Sequence, residues 1–279
     1  MKKLLVGMMV MYASIYGANA QPKAIHIEKQ GKGQPVLFLP GFITPGTVWN
    51  ETVKNLKGKY EAHLVSYAGF NGLAPIPMPW YETIKNELVA YATYNKLKNI
   101  RLVGHSMGGS LALDLAAALG ERVDAVVLVD ALACFREVMM PGVPATSLQY
   151  ESKYNQQMLQ ASDEAFAQTA GMMAQGMTSV PEKQQQIKSW ILEADRKTYV
   201  YGYTDLLKAD ARPLLPAIQV PVLILGAPFP SKEAVLPNFE KQFADLANKK
   251  IEIAPSGRHY IMFDEPQWFY DQLNAFFAK

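Results

Sequence analysis

A serine stands between two glycines at residues 104–108, which read G-H-S-M-G. An apolar run, "IRLVG" (100–104), ends in this motif, and a helix-forming run, "SLALDLAAAL" (110–119), follows it. A strand, a sharp turn and a helix in this order lift a serine hydroxyl clear of the backbone. The helix N-terminus adds N–H groups and a partial positive charge beside it. The pattern predicts that Ser106 is a nucleophile.

A neutral serine hydroxyl needs a base to become reactive, and the chain offers four histidines. His26 lies on the first predicted strand, and His63 lies at the start of a later one. His105 adjoins the serine, so its side chain is expected to point away from the turn. His259 follows the last strand and precedes the last helix, where parallel sheets bind their ligands. Elimination and position both predict His259 as the base.

The carbonyl oxygen that becomes negative during attack needs fixed hydrogen-bond donors. The backbone N–H of Met107, the residue after the nucleophile, is one predicted donor. The other is expected from the loop that follows the strand in "PVLFLPGF" (35–42). Pro40 and Gly41 shape that loop, which leaves the N–H of Phe42 facing the site. Phe42 and Met107 are therefore the predicted oxyanion hole.

Strand-like and helix-like segments alternate along the chain, which predicts an α/β protein with a doubly wound, mostly parallel sheet. Short apolar or alternating runs predict strands at 24–29, 35–39, 61–67, 100–104, 124–130, 220–226 and 250–255. Helical patterns lie between them, at 47–57, 80–97, 106–119, 233–247 and 266–278. Residues placed just after strands should gather at one edge of this sheet.

The segment 131–211 breaks the alternation, because it contains no convincing strand. It reads as short helices, with Ser162 as an N-cap and Pro181 at the first position of another helix. It also holds six of the nine methionines found after residue 20: 139, 140, 158, 172, 173 and 177. Methionine suits an adaptable apolar surface, although it also belongs in ordinary cores. We expect a helical cap here, inserted in a core domain formed by 21–130 and 212–279.

Residues 1–20 have the features of a signal peptide: two lysines, a short apolar run and an A-x-A ending. The alternative is an uncleaved anchor; no later segment is apolar enough to span a membrane. Cleavage would lower the 27 basic residues to 25, equal to the 25 acidic ones. This neutral chain predicts no nucleic-acid partner, and export predicts a periplasmic or secreted protein. A single cysteine, Cys134, excludes an intrachain disulfide, and no Cys/His spacing predicts a metal site.

Four stretches together resemble the α/β-hydrolase-fold serine hydrolases: the LPGF loop, the GHSMGG turn, the VPVLILG strand and the SGRHY…EP ending. The resemblance runs from about residue 24 to the C-terminus, with the nucleophile first and the histidine last. It implies transfer of an acyl group to water without a cofactor. Relatives that act as dehalogenases or epoxide hydrolases use an aspartate nucleophile, so the serine argues against those activities.

The acid that should orient the histidine is where the sequence departs from the family. Relatives commonly carry an aspartate after the strand matching VPVLILG, but the loop here has only one acid, Glu233. Some relatives place the acid after the preceding strand, which ends here at Asp130. Asp130 could hold the histidine tautomer and stabilise the imidazolium, although many relatives have a purely structural aspartate there. Asp130 is the favoured acid and Glu233 is the alternative. The third option is that neither of them is the acid.

The pocket is expected to be mainly apolar, with Trp49, Trp80 and Met139 among its walls; each is also a normal packing residue. No basic cluster suggests a phosphate group. The expected substrate is a small-molecule ester or thioester with an apolar acyl part of small or medium size. The same residues could act on a lactone, an amide or a carbon–carbon bond, or in perhydrolysis. A ligand receptor without turnover is the alternative from another class. The residues do not indicate an oligomeric state.

Overall fold

The computed structural model describes residues 23–278, so the predicted signal peptide at 1–20 lies outside the described residues. Seven strands form one sheet: β1 (Ile25–Gly31), β2 (Gln34–Leu39), β3 (Tyr60–Tyr67), β4 (Ile100–His105), β5 (Val123–Val129), β6 (Val222–Gly226) and β7 (Lys249–Ile253). All seven strands predicted from the sequence are present, with ends that differ by one or two residues.

The sheet has the strand order β1-β3-β2-β4-β5-β6-β7. Strand β1 pairs with β3 in antiparallel orientation, and every other pair is parallel. The central strands are mostly apolar because helices cover both of their faces, as in β6, where all five residues are buried. In edge strand β1, by contrast, only Ile25 is buried, and the other residues are exposed or half-buried. The predicted doubly wound, mostly parallel sheet is confirmed.

Helices connect these strands, and their bounds follow local backbone signals. They are α1 (Asn50–Lys54), α2 (Trp80–Tyr94), α3 (Met107–Leu119), α4 (Arg136–Met139), α5 (Lys153–Gln160), α6 (Asp163–Met177), α7 (Pro181–Glu193), α8 (Arg196–Lys208), α9 (Lys232–Gln242), α10 (Ile261–Asp264) and α11 (Pro266–Phe277). Helix α2 stops short of the predicted residue 97 because Lys96 adopts φ 53°, which a helix does not allow. Within residues 23–278, no helix has the length and apolar character that crossing a bilayer requires.

Between β5 and β6 the chain forms five helices, α4 to α8, in the segment where the sequence predicts a helical cap. The Ser162 hydroxyl accepts a hydrogen bond from the N–H of Ala165 at 3.2 Å, so Ser162 caps α6. Pro181 is the first residue of α7, where its missing N–H costs nothing. Both helix starts predicted from the sequence are confirmed.

Candidate active site

Ser106 lies at the junction of β4 and α3 with φ 53° and ψ −123°, a conformation that non-glycine residues rarely adopt. The two glycines of the motif are needed because the chain passes so close to itself. A Cβ atom on Gly104 would lie 2.2 Å from the carbonyl oxygen of Gly108. One on Gly108 would lie 2.0 Å from the carbonyl oxygen of Leu39. The motif therefore fixes the backbone turn on which Ser106 sits.

Within residues 23–278, three of the six non-glycine residues with positive φ line one cavity. Ile43 (φ 66°), Ser106 (φ 53°) and Asp130 (φ 43°) all have positive φ, and all three line the same cavity. A positive φ is most costly for a β-branched residue such as Ile43. The Asn71 amide holds the Ile43 carbonyl at 3.0 Å, and the Asp130 N–H donates to Leu225 at 2.7 Å. Such strain persists where surrounding bonds enforce it, and it is typical of functional sites.

Asp130 and His259 meet at the carboxyl edge of the sheet. The Nδ1 atom of His259 lies 2.6 Å from Oδ2 of Asp130, while Oδ1 accepts a hydrogen bond from the N–H of Ala227 at 2.9 Å. An ionised carboxylate only accepts, so Nδ1 carries the hydrogen and Nε2 has a free lone pair. The predicted base is thus held in the tautomer that can take a proton from a hydroxyl.

Glu233, the alternative acid, lies elsewhere. It is exposed in the first turn of α9, whose N-cap Ser231 accepts a hydrogen bond from Ala234. Hydrogen bonds from its own N–H and from Ser231 lower the pKa of the Glu233 carboxyl. An acid near a helix N-terminus is stabilising, which gives Glu233 a structural role. Of the two candidate acids, Asp130 is the one that the fold brings to the histidine.

The predicted oxyanion donors flank Ser106. Within residues 23–278, neither the N–H of Phe42 nor that of Met107 donates to a protein acceptor. A hydrogen bond holds the loop that contains Phe42: the Tyr67 hydroxyl donates to the Pro40 carbonyl at 3.2 Å. A Cβ on Gly41 would lie 3.3 Å from Cβ of Ser106, so the loop packs tightly on the turn. Phe42 lies in the cavity wall, whereas Met107 does not, so the pairing of their N–H groups stays a prediction.

A cavity of about 560 Å³ contains Ser106, His259, Asp130 and Phe42 in its wall. Most of the remaining wall is apolar, and much of it comes from α4, α6 and α8: Phe135, Val138, Met139, Met173, Met177, Tyr199, Tyr203 and Leu206. Met139 lines the cavity as predicted and is 54% exposed, like its neighbours at the mouth, Val138 and Phe229. An apolar site of this size fits a small organic ligand.

The prediction that Trp49 and Trp80 line the cavity is wrong. Trp49 and Trp80 are fully buried and are absent from the cavity wall in the described chain. Trp49 packs against Phe38 and Phe269. Trp80 donates its indole N–H to the Ala68 carbonyl at 2.8 Å. An aromatic residue after a strand can face either the ligand or the core, and nothing local in the sequence distinguishes the two.

Tyr199 and Tyr203 on α8 are wall residues that the sequence analysis missed. Their four-residue spacing places them on one helix face, and both rings pack on Phe42 at 5.8 Å. The Tyr199 hydroxyl donates to the Met173 sulfur at 3.2 Å, a weak acceptor. Burial raises the pKa of Tyr203 to about 12, so its hydroxyl stays protonated. The spacing was the signal that could have identified this pair.

Within residues 23–278, no three His, Cys, Asp or Glu side chains lie close enough together to bind a metal ion.

The chain matches the model of the alpha/beta hydrolase family over residues 36–272. The pimeloyl-[acyl-carrier protein] methyl ester esterase of Shewanella woodyi is 26% identical over 250 residues, which are 85% of this chain and 93% of that protein.

Solved structures share the fold. An esterase from Exiguobacterium antarcticum matches with a TM-score of 0.73 and 21% identity, over 92% of this chain and 98% of that one. The enol-lactonase from Burkholderia xenovorans LB400 matches with a TM-score of 0.72 and 16% identity, over 91% and 96%. The protein therefore belongs to the alpha/beta hydrolase family and is a carboxylesterase-like enzyme.

Proposed function

We propose that the protein hydrolyses carboxylic esters through an acyl-enzyme on Ser106, with His259 as the base and Asp130 as the orienting acid. The observation that carries the proposal is the 2.6 Å bond between His259 and Asp130 in the cavity whose wall also includes Ser106. This bond keeps the lone pair of Nε2 free for the hydroxyl proton. Asp130 also favours the imidazolium that forms when the proton arrives.

The reaction has two steps, acylation of Ser106 and hydrolysis of the acyl-enzyme. Ser106 Oγ bonds to the ester carbon while its proton moves to His259 Nε2, and the negative carbonyl oxygen is held by the N–H groups of Phe42 and Met107. The imidazolium then protonates the departing alcohol, which leaves the acyl group on the serine. Water attacks the acyl-enzyme by the same route, releases the acid and restores the serine.

The substrate we propose is an ester whose acyl part is apolar and of small or medium length. Support comes from the apolar cavity of about 560 Å³ and from its methionine wall, which can adapt to chains of different shape. Relatives named as methyl ester esterases of a pimeloyl group fit the same substrate class. The groups from α8 would contact the acyl chain beyond the reacting carbonyl.

A chain-length series tests this function. Hydrolysis of p-nitrophenyl esters from acetate to dodecanoate should peak at an intermediate length, and Ser106→Ala should abolish it. A lactone and an amide of matched chain length belong in the same assay. Faster turnover of either would contradict an ester substrate, and equal activity in Ser106→Ala would contradict the nucleophile.

We also propose that the protein is exported, with cleavage after Ala20. Support comes from the sequence features of residues 1–20. An exported enzyme would meet free small esters rather than acyl chains on a carrier protein inside the cell. To test this, the protein is recovered from separated fractions of the host cell and its intact mass is measured. The protein found outside the cytoplasm should start at Gln21. Full-length protein confined to the cytoplasm would contradict export and would favour a carrier-bound substrate.

A further inference from the structure

His105 precedes the nucleophile, is fully buried, and has no part in the proposed reaction. Its Nε2 atom lies 3.0 Å from the backbone carbonyl oxygen of His259. We propose that His105 is a positioning residue, which ties the main chain of the base to the turn that carries the nucleophile. This inference rests on the proposed function, since it assumes that Ser106 and His259 react together.

The hydrogen bond defines the protonation of the His105 ring. A carbonyl oxygen only accepts, so Nε2 must carry the hydrogen. The other nitrogen, Nδ1, is buried, has no hydrogen-bond partner within residues 23–278, and lies beside Gly41, where an added Cβ would be only 2.9 Å away. The close approach of Gly41 leaves Nδ1 on the side of the ring that packs against the loop backbone. The ring therefore sits as the neutral Nε2–H tautomer.

Neutrality matters because the two histidine rings are adjacent. Their centroids lie 4.6 Å apart, and the His105 ring also packs on Tyr260 at 4.5 Å. Burial and the neighbouring His259 hold the pKa of His105 well below its usual range. His259 must become positive during the reaction, and a second cation at this distance would oppose that step. A neutral donor holds the loop without such repulsion.

The other anchors of the loop act on residues beside His259. The Tyr260 N–H donates to the Met177 carbonyl at 3.0 Å, and its hydroxyl shares a hydrogen bond of 2.7 Å with Thr44. The Arg258 N–H donates to Asp264 at 2.7 Å. In residues 23–278, only the His105 ring bonds to the main chain of His259 itself. Because His105 and Ser106 are adjacent, one rigid turn sets the positions of both the nucleophile and the base.

A near-isosteric pair of variants isolates this hydrogen bond. His105→Met removes the donor, whereas His105→Gln keeps an amide N–H with similar reach. Small misplacements of reacting groups cost up to about 10²-fold in rate. We expect kcat to fall about 10-fold to 100-fold in His105→Met, with KM changed less than about threefold, and His105→Gln to recover most of the loss.

His63→Met is the matched control for loss of a buried histidine. His63 is also fully buried; its Nδ1 shares a hydrogen bond with the Tyr91 hydroxyl and its Nε2 lies 2.7 Å from Glu61, away from the site. This variant should lose stability while the folded protein keeps its kcat. Equal kcat losses in His105→Met and His105→Gln would overturn the proposal, as would an unchanged kcat in folded His105→Met. Activity that survives Ser106→Ala would instead reject the proposed function.

A measurement on the unaltered protein covers the case in which His105→Met fails to fold. With only four histidines, ¹⁵N NMR of histidine-labelled protein can report which ring nitrogen of each carries hydrogen. His105 should remain the neutral Nε2–H tautomer between about pH 6 and pH 9. An Nδ1–H tautomer or a protonated ring in this range would overturn the proposal.

Discussion

The loops at the strand ends and the helices above them build the two halves of the cavity by different means. Ser106, Asp130 and His259 are fixed by strained backbone, close glycine packing and short hydrogen bonds. The walls from α6 and α8 consist mainly of methionine and tyrosine side chains with few directed bonds. In the proposed mechanism, the reaction therefore depends on a backbone geometry that tolerates little change. Substrate preference depends on side chains that can readjust.

Substitution of the proposed reacting groups should cause the greatest loss of kcat. Ser106→Ala or His259→Ala should lower kcat by about 10⁴-fold to 10⁶-fold, because the proton transfer and the nucleophile act as one unit. The double variant should be little worse than either single one. Ester hydrolysis in steady state measures this; additive losses would contradict a shared mechanism.

The next effect compares the two candidate acids. Asp130→Asn should lower kcat by about 10³-fold to 10⁴-fold, because an amide can present its N–H group and favour the wrong histidine tautomer. Glu233→Gln is the matched control, an exposed acid at a helix start, and should stay within about twofold. A larger loss in Glu233→Gln than in Asp130→Asn would reverse the assignment.

Backbone packing gives a prediction for stability. Gly108→Ala places a Cβ 2.0 Å from the Leu39 carbonyl oxygen, which should cost about 1–3 kcal/mol of unfolding free energy. Gly171→Ala is the control within α6, where the nearest atom would be 3.9 Å away on flexible Lys188. That change should stabilise the protein by about 0.5–1 kcal/mol. Urea unfolding measures both; a Gly108→Ala protein as stable as wild type would contradict the packing argument.

The helix side of the cavity should respond more mildly. Met173→Ala enlarges the wall and should shift the preference toward longer or bulkier acyl chains, with changes in relative kcat/KM up to about tenfold. Met172→Ala is its neighbour, 61% exposed and outside the cavity wall, and should leave the preference unchanged. Identical chain-length profiles for the two variants would show that α6 does not contact the substrate.

The smallest effect is a pH dependence of stability. Burial, with a smaller contribution from Lys29, lowers the pKa of His63 below 6.5 in the folded protein. The unfolded chain then binds the proton first, so stability falls as pH drops below 6.5, by at most about 1.4 kcal/mol per pH unit for this group. Buried His105 acts in the same direction. His63→Met should flatten the curve between about pH 7 and pH 5; an unchanged slope would contradict this account.

The sheet could be predicted because strand burial and helix starts are written in local patterns. The apolar run of β6, the Ser162 cap and Pro181 are examples, and each is where the pattern puts it. Helix ends were less predictable: α2 stops early because Lys96 turns left-handed, which the helical run before it does not signal.

The site was predictable where a motif dictates backbone geometry and less so where tertiary packing decides. The turn at Ser106 follows from its two glycines. The choice of Asp130 over Glu233 depends on which strand end lies beside the histidine loop, a distance of 129 residues along the chain. Trp49 and Trp80 were misplaced because burial in the core and exposure to a cavity have the same local composition. As catalytic groups, Ser106, His259 and Asp130 remain predictions.

The proposed mechanism depends above all on Ser106 being an activated nucleophile. Reaction of the purified protein with a fluorophosphonate probe, followed by intact mass and peptide mapping, tests it without knowledge of the natural substrate. We predict one adduct per chain, located on Ser106 and absent from Ser106→Ala, with much slower labelling in Asp130→Asn than in Glu233→Gln. A folded wild-type protein that takes no label, or a label that persists in Ser106→Ala, would contradict the claim.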